Sequence, residues 1–526
     1  MGKSRIENSV RNSTVALLSQ GLTVVLSFVT RTIFIKYLGA SYLGINGLFT
    51  NILTVLSFAE LGFGTAIVFA LYKPIAENHY RQISALMNFY AKIYRCVGLF
   101  ILLSGVCLLP NLDFFINGTS KLPEELPPVW LIYILYLSNS SVSYFFNYKR
   151  SLVIASQNGY IDTLNQLIFN FIRNVAQILI LIIFKGFLLY LIVQIFSTLL
   201  SNIFISIKAN KLFPYLKDHK HEKLDKSSLK SIVKNVLAMA FHKLGSVIVS
   251  GTDNILISKF IGIVATGYYS NYTLLTMTVQ TVYIQILSPI TASVGNFITT
   301  KSEHESYKFF KKLLFINAYI AIFCTTCLTT LVNSFITLLW GKEYVFSIYI
   351  VLCIMAYFFL NCMRQASNIF IDASGLFWQI KWKSLIEAIV NLSVSLYFVI
   401  SLKMGIAGII LGNIVSCLTT NFWWEPYVVF KYKLKVELYK YFLNYTHYTL
   451  VLILNIVILF GIETHFQNGI LGFLLRFIVS ACIPNLIIWI CYHRTEEYKY
   501  FHNIASKLFG KLMKKNVLKL GQKKVI

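Results

Sequence analysis

The sequence predicts an all-α protein that crosses a membrane many times, and three observations carry that prediction. Of its 526 residues, 56% are apolar and only 13% charged, with a mean hydropathy of +0.66, which a water-soluble domain of this length does not sustain. Apolar runs of about 20 residues, the length a helix needs to cross the hydrocarbon core, recur along the whole chain. These runs lack the period-two alternation of strands and are about twice the length of a barrel strand.

The first run, near 13–37, is too long for a signal-peptide core and has no small-residue cleavage site, so it is expected to stay as an anchor. The others fall near 43–71, 90–112, 128–148, 162–184, 186–207, 233–258, 266–295, 310–332, 345–371, 380–401, 405–429, 443–462 and 469–492. That makes about 14 transmembrane helices.

A net charge of +26 could suit nucleic acid, but the basic residues alternate by loop, which is a topology signal instead. One side collects 34 of the 47 lysines and arginines, and the short loops opposite hold six: Lys36, Lys121, Lys185, Lys259, Lys342 and Lys403. Both termini are therefore expected in the cytoplasm. The longest cytoplasmic connection, Lys208–Lys234, divides six runs from eight and serves as a linker. Expected domains are an N-lobe over 1–215, a C-lobe over 216–442, and two extra helices with a basic tail over 443–526. In that tail Leu508, Leu512 and Leu520 share a helical face against lysines, as a helix lying on anionic inner-leaflet lipids would.

A repeat organises the rest. A shift of 223 positions lays Lys36, Gly39 and Gly44 on Lys259, Gly262 and Gly267. Because six runs separate the copies, both insert with the same orientation, giving a pseudo-twofold along the membrane normal around a central cavity.

Charges inside apolar runs mark that cavity, since each costs roughly 2.5–3.5 kcal/mol at such depth. Arg31, Arg173, Lys243 and Arg364 are the candidate substrate-binding cations. Asn361 shares a polar stripe with Arg364, Gln365, Asn368 and Asp372, and Arg173 shares one with Asp162, Gln166 and Gln177. Lys243 and Asn254 are three helical turns apart, and the repeat lays them on Gln20 and Arg31, so these four complete the polar faces. Glu60 and Asp253 are the ion-coupling candidates. Lys92, Arg95 and Arg476 are close enough to the interfaces to snorkel. The excess of cations suits an anionic headgroup such as a pyrophosphate, whereas an exporter of drug cations calls for carboxylates.

No catalytic, metal or cofactor motif stands out. Cys324 and Cys327 have CxxC spacing without a second pair or a histidine, which in an apolar run is packing, and no disulfide is expected. No DxD, HExxH, Walker or GxSxG motif occurs, and the outer loops are too short for a polysaccharide polymerase or acyltransferase.

Three segments resemble the polysaccharide transporter family of the multidrug/oligosaccharidyl-lipid/polysaccharide flippase superfamily. They are YLGINGLFTNILTVLSFAELGFGTAIVFALYKPIAEN, ending at Asn78; YKRSLVIASQNGYI, from Tyr148; and FHKLGSVIVSGTDNILISKFIGIVATGYYSNYTLL, from Phe241. The resemblance implies two six-helix lobes that move an undecaprenyl-pyrophosphate-linked oligosaccharide outward by alternating access. It also implies a place beside polysaccharide polymerase and chain-length machinery. Two helices beyond a six-plus-six core are also found in lipid II flippases, which leaves a peptidoglycan precursor as the alternative substrate.

Overall fold

A computed structural model describes residues 5–60, 63–116, 123–219, 222–463, 466, 469–503 and 506. Side chains are described for most of these, Lys243 being one exception. The basic tail with Leu508, Leu512 and Leu520 lies outside the described residues. Among the described residues there is no strand.

The long helices are α1 (Arg5–Leu56), α2 (Phe63–Ala76), α3 (Tyr80–Leu108), α4 (Val129–Phe146), α5 (Gly159–Phe184), α6 (Phe187–Leu212), α7 (Lys226–Phe260) and α8 (Ile263–Leu287). They continue as α9 (Ile290–Thr300), α10 (Glu303–Leu339), α11 (Ile348–Met363), α12 (Gln365–Ser374), α13 (Lys383–Leu396), α14 (Gly405–Thr419), α15 (Asn421–Val429), α16 (Tyr439–Glu463) and α17 (Ile470–Tyr492). Ten helical stretches among the described residues are long and apolar enough to cross a membrane, so the chain is a multi-pass membrane protein. The figure of 14 stays an expectation. Leu18–Leu56 counts once although it covers most of the predicted run 13–37 and the start of the run 43–71. Large apolar side chains face outward, as lipid-facing helices require: Ile183 on α5 is 64% exposed and Phe204 on α6 is 63% exposed.

The chain folds as two compact units, Met1–Asn271 with Lys381–Gly412, and Tyr272–Ile380 with Asn413–Ile526. In the first, both copies of the repeat turn at their glycines. Gly39 has φ 81° and ψ −171° inside α1, and Gly262 has φ 131° between α7 and α8. A side chain would strain either turn. Five residues further on, Gly44 lies so close to the backbone of the other copy that a Cβ would stand 1.9 Å from the Ile263 carbonyl oxygen. Gly267 meets the Ala40 carbonyl in the same way, at 2.3 Å. Position 40 plus 223 is 263, so the two contacts are one contact repeated by the pseudo-twofold. Glycine also lets α7 approach α13, where a Cβ on Gly245 would sit 1.9 Å from the Ser384 carbonyl oxygen.

In the second unit α10 starts at a capping box, Ser302 accepting from the Glu305 backbone and Glu305 returning to Ser302. Its Phe310 and Phe315 enter an aromatic core with Phe370, Phe430, Tyr441 and Tyr448. The tenth apolar run is not one helix. It breaks at Arg364, and the carbonyls left at the end of α11 are taken by buried polar groups: Asn317 Nδ2 donates to Cys362 O (3.3 Å) and Met363 O (3.1 Å), and the Tyr283 hydroxyl donates to Cys362 O (2.8 Å). The Arg364 N–H also donates to Cys362 O, and together these bonds match carbonyls at the helix end that would be costly to bury unmatched.

Candidate functional site

α1 and α5 are joined where the Thr30 hydroxyl donates to Asn174 Oδ1 at 2.8 Å. The next residue on α1 is Arg31 and the preceding one on α5 is Arg173. Both arginines lie beside Tyr190 of α6, whose ring packs edge-on to Phe34 with centroids 5.3 Å apart. Gln177, from the stripe that holds Arg173, donates to the Tyr190 carbonyl at 3.2 Å. The structure thus brings two of the predicted cations to one tyrosine.

Arg31 is oriented by the second copy of the repeat. Its Nε donates to Asn271 Oδ1 at 3.0 Å, and its Nη2 donates to Asn271 Oδ1 at 2.9 Å and to Ser270 Oγ at 2.5 Å. Tyr136 lies nearby and donates to Asn46 Oδ1 at 2.8 Å. These partners are neutral. Among the described residues no carboxylate forms an ion pair with Arg31 or Arg173, and no side-chain hydrogen bond holds Arg173. Two partly buried guanidinium groups, without a carboxylate partner among the described residues, form a place where an anion gains charge-assisted hydrogen bonds.

Arg364 differs. It makes a two-pronged ion pair with Glu425 of α15, Nη2 to Oε1 at 2.6 Å and Nε to Oε2 at 3.0 Å, and Nη1 donates to Asn361 Oδ1 at 3.1 Å. Glu425 is fully buried. The predicted stripe of Asn361 with Arg364 does assemble, but its charge is cancelled. Glu425 escaped the sequence reading although an acidic residue inside the twelfth apolar run was a signal in plain view. Arg173's stripe is similarly consumed at its other end, where Asp162 pairs with Arg150 at 2.7 Å and accepts from Gln166 at 2.8 Å.

Glu60 ends a short 3₁₀ turn, Ser57–Glu60, that interrupts the second apolar run between α1 and α2. Its carboxylate accepts from the Tyr94 hydroxyl. Asp253 is buried near the end of α7 and accepts from the Tyr269 hydroxyl at 3.0 Å. Asn254 is buried beside Gly47 of α1. Gln20 is half-buried on α1, and the Lys243 side chain lies outside the described residues. Lys92 and Arg95 are exposed. Arg476 donates to Ser334 Oγ at 2.5 Å and to the Phe466 carbonyl at 3.0 Å.

Sequence reasoning missed Tyr190, Tyr136, Ser270 and Asn271. The last two stand in the repeated segment, so the duplication pointed to them. The tyrosines carry no charge and no spacing that sets them apart in a chain with 32 tyrosines.

A profile of polysaccharide biosynthesis proteins matches residues 9–294. The lipid II flippase MurJ in an inward closed conformation superposes with a TM-score of 0.61 at 16% identity, over 91% of this chain and 99% of that one. An inward-facing multidrug resistance transporter of the MATE family, in the MOP superfamily, superposes with a TM-score of 0.59 at 15% identity, over 79% of this chain and 98% of that one. A MOP-superfamily transporter from Pyrococcus furiosus, described as having a binding pocket of reverse polarity, gives 0.53 at 12% identity, over 83% and 98%. These likenesses establish the fold. No curated protein matches by sequence.

Proposed function

Because the chain belongs to the polysaccharide biosynthesis family and has the fold of MOP-superfamily transporters, we propose that it is a flippase for an undecaprenyl-pyrophosphate-linked oligosaccharide repeat unit. It works in the bacterial cytoplasmic membrane with both termini inside, and supplies cell-surface polysaccharide assembly. The observation that carries this reading is the pair of arginines at Tyr190, Arg31 and Arg173, without a carboxylate partner among the described residues.

The mechanism is electrostatic. Two or three charge-assisted hydrogen bonds, each contributing about 1.5–3 kcal/mol, hold a pyrophosphate without trapping it. The sugar needs only room and hydroxyl contacts. Alternating access then opens the site to the other side, where water rescreens the charges and the headgroup leaves. The reading assigns no bond-making step, so the protein acts as a transporter and not as an enzyme.

Reconstituted flipping of a fluorescent undecaprenyl-pyrophosphate oligosaccharide, with no glycosyltransferase present, tests it. Transport by the wild type and loss in Arg31→Ala support the reading; absence of transport by the wild type overturns it. A lipid II-type substrate is the second reading, favoured by the 91% of the chain that superposes on MurJ. The lipid-linked intermediate that accumulates in a deletion strain separates the two.

A further inference from the structure

The repeat makes the same polar contact twice across the seam between its copies, and the two versions differ in chemistry. Adding 223 to Arg31 gives Asn254, and adding 223 to Gly47 gives Ser270. Arg31 on α1 donates to Ser270 Oγ on α8 at 2.5 Å. Asn254 on α7 lies against Gly47 on α1, where a Cβ would stand 3.3 Å from Asn254 Nδ2. Both Arg31 and Asn254 stand eight residues before a glycine turn, Gly39 or Gly262, so the two contacts share one depth.

The version at Arg31 is left with donors. Asn271 Oδ1 is taken twice by Arg31, from Nε and from Nη2. Arginine has no acceptor, so the Asn271 amide meets it oxygen first and its Nδ2 is turned away. Asn271 is fully buried, and that Nδ2 has no hydrogen-bond partner among the described residues. Ser270 gives its own proton to the Gly267 carbonyl at 2.7 Å and serves Arg31 as an acceptor. An unspent donor beside a guanidinium suits a group that only accepts, such as a phosphoryl oxygen.

The version at Asn254 is left with an acceptor. Asn254 is neutral and buried, and its Oδ1 has no partner among the described residues. Buried polar atoms are normally matched. In the other copy the matching hydroxyl comes from Ser270, but here glycine stands in the place of that serine, so Gly47 supplies none. A sugar hydroxyl can donate to an amide oxygen; an ionised phosphoryl oxygen cannot.

We propose that Asn254 binds a hydroxyl of the sugar attached to the pyrophosphate, while Arg31 and Asn271 bind the phosphoryl oxygens. This rests on the flippase reading. A sugar pyrophosphate has a neutral donor half joined to an anionic acceptor half, and the two versions of the contact divide the same way. Asn254 Oδ1 and Asn271 Nδ2 are both shut from solvent in this conformation. Substrate matches them as the seam loosens, and so favours the loosened state over the closed one.

The test measures binding of two lipids to the full-length protein in nanodiscs: undecaprenyl pyrophosphate, and the same lipid bearing a single N-acetylglucosamine. The wild type should prefer the sugar-bearing lipid by about tenfold, as one matched hydrogen bond allows. In Asn254→Ala that preference should fall to about one. Gly47→Ser, which returns the serine of the other copy and occupies Asn254 from within, should lose it too. Arg31→Ala should weaken both lipids and keep their ratio. A purely structural role for Asn254 would likewise move both lipids together. A preference that survives Asn254→Ala or Gly47→Ser, or a wild type that binds both lipids equally, overturns the sugar site and leaves the flippase reading standing. A wild type that binds neither lipid overturns both.

Discussion

Gly44 and Gly267 occupy the same position in the two copies of the repeat, and each lies against the backbone that precedes the other: Gly44 at Ile263, Gly267 at Ala40. The contact is self-complementary in the way an isologous dimer interface is. Replacing either glycine by alanine should displace the paired backbone and lower stability by about 1–3 kcal/mol, as overpacking does. Thermal unfolding in detergent should show Gly44→Ala and Gly267→Ala as similarly destabilised. Gly21→Ala, with nothing within 4 Å of its Cβ, should be neutral or slightly stabilising.

Arg31 reaches Asn271 and Ser270 with two of its nitrogens, a fork that lysine cannot reproduce. Glycan export should fall to background in Arg31→Ala and Arg173→Ala and be only partly restored by Arg31→Lys. Arg476→Ala, which breaks the contacts to Ser334 and Phe466, should export normally. Equal export by all of these at matched expression would return the arginines to structural roles.

For Arg364 and Glu425 the expectation concerns stability. Removing one member of a buried pair strands the other, at about 3–5 kcal/mol. Glu425→Gln should lower the melting temperature more than the double variant Arg364→Gln with Glu425→Gln. A double variant that melts lower than both single variants speaks against a cancelled charge.

Outside the spans, burial raises the Glu497 carboxyl, but its hydrogen bond and ion pair with Lys311 outweigh this and hold it below its ordinary 4.5. A depressed carboxyl stabilises the folded state above its unfolded value and loses that contribution as pH falls through the folded one. The helical segment 496–503, which sets Tyr498 and Phe501 against Phe315, should therefore stay docked above about pH 4.5 and loosen below it. Hydrogen exchange should show that loosening at neutral pH in Glu497→Gln.

Topology can be read independently. In a cysteine-free background, Lys342→Cys should react with an impermeant thiol reagent on intact cells, and Lys301→Cys only after permeabilisation. Both positions are exposed.

Much of the fold was legible because membrane length and glycine turns are local rules. Gly39 and Gly262 announced their turns by recurring 223 residues apart. The site was legible only as charges without partners. Arg31 could be singled out for its depth, but Asn271 lies 240 residues away, and nothing local connects them. The stripe through Arg364 followed from helical spacing, which says nothing about what faces it, so Glu425 went unseen. The break at Ser57–Glu60 has no proline or glycine within it, so no turn residue of its own announced it.

Residues 381–412 belong with the first 271 residues, and α13 fits against α7 where Gly245 leaves no room for a side chain. During synthesis, the groove at Gly245 must therefore stay open while more than a hundred further residues leave the ribosome. α8 to α12 are inserted in that interval, and until α13 arrives the exposed face of α7 is covered only by lipid or by the insertion machinery. A nascent chain stalled before residue 381 holds an unfinished first unit, and is a natural substrate for membrane quality control.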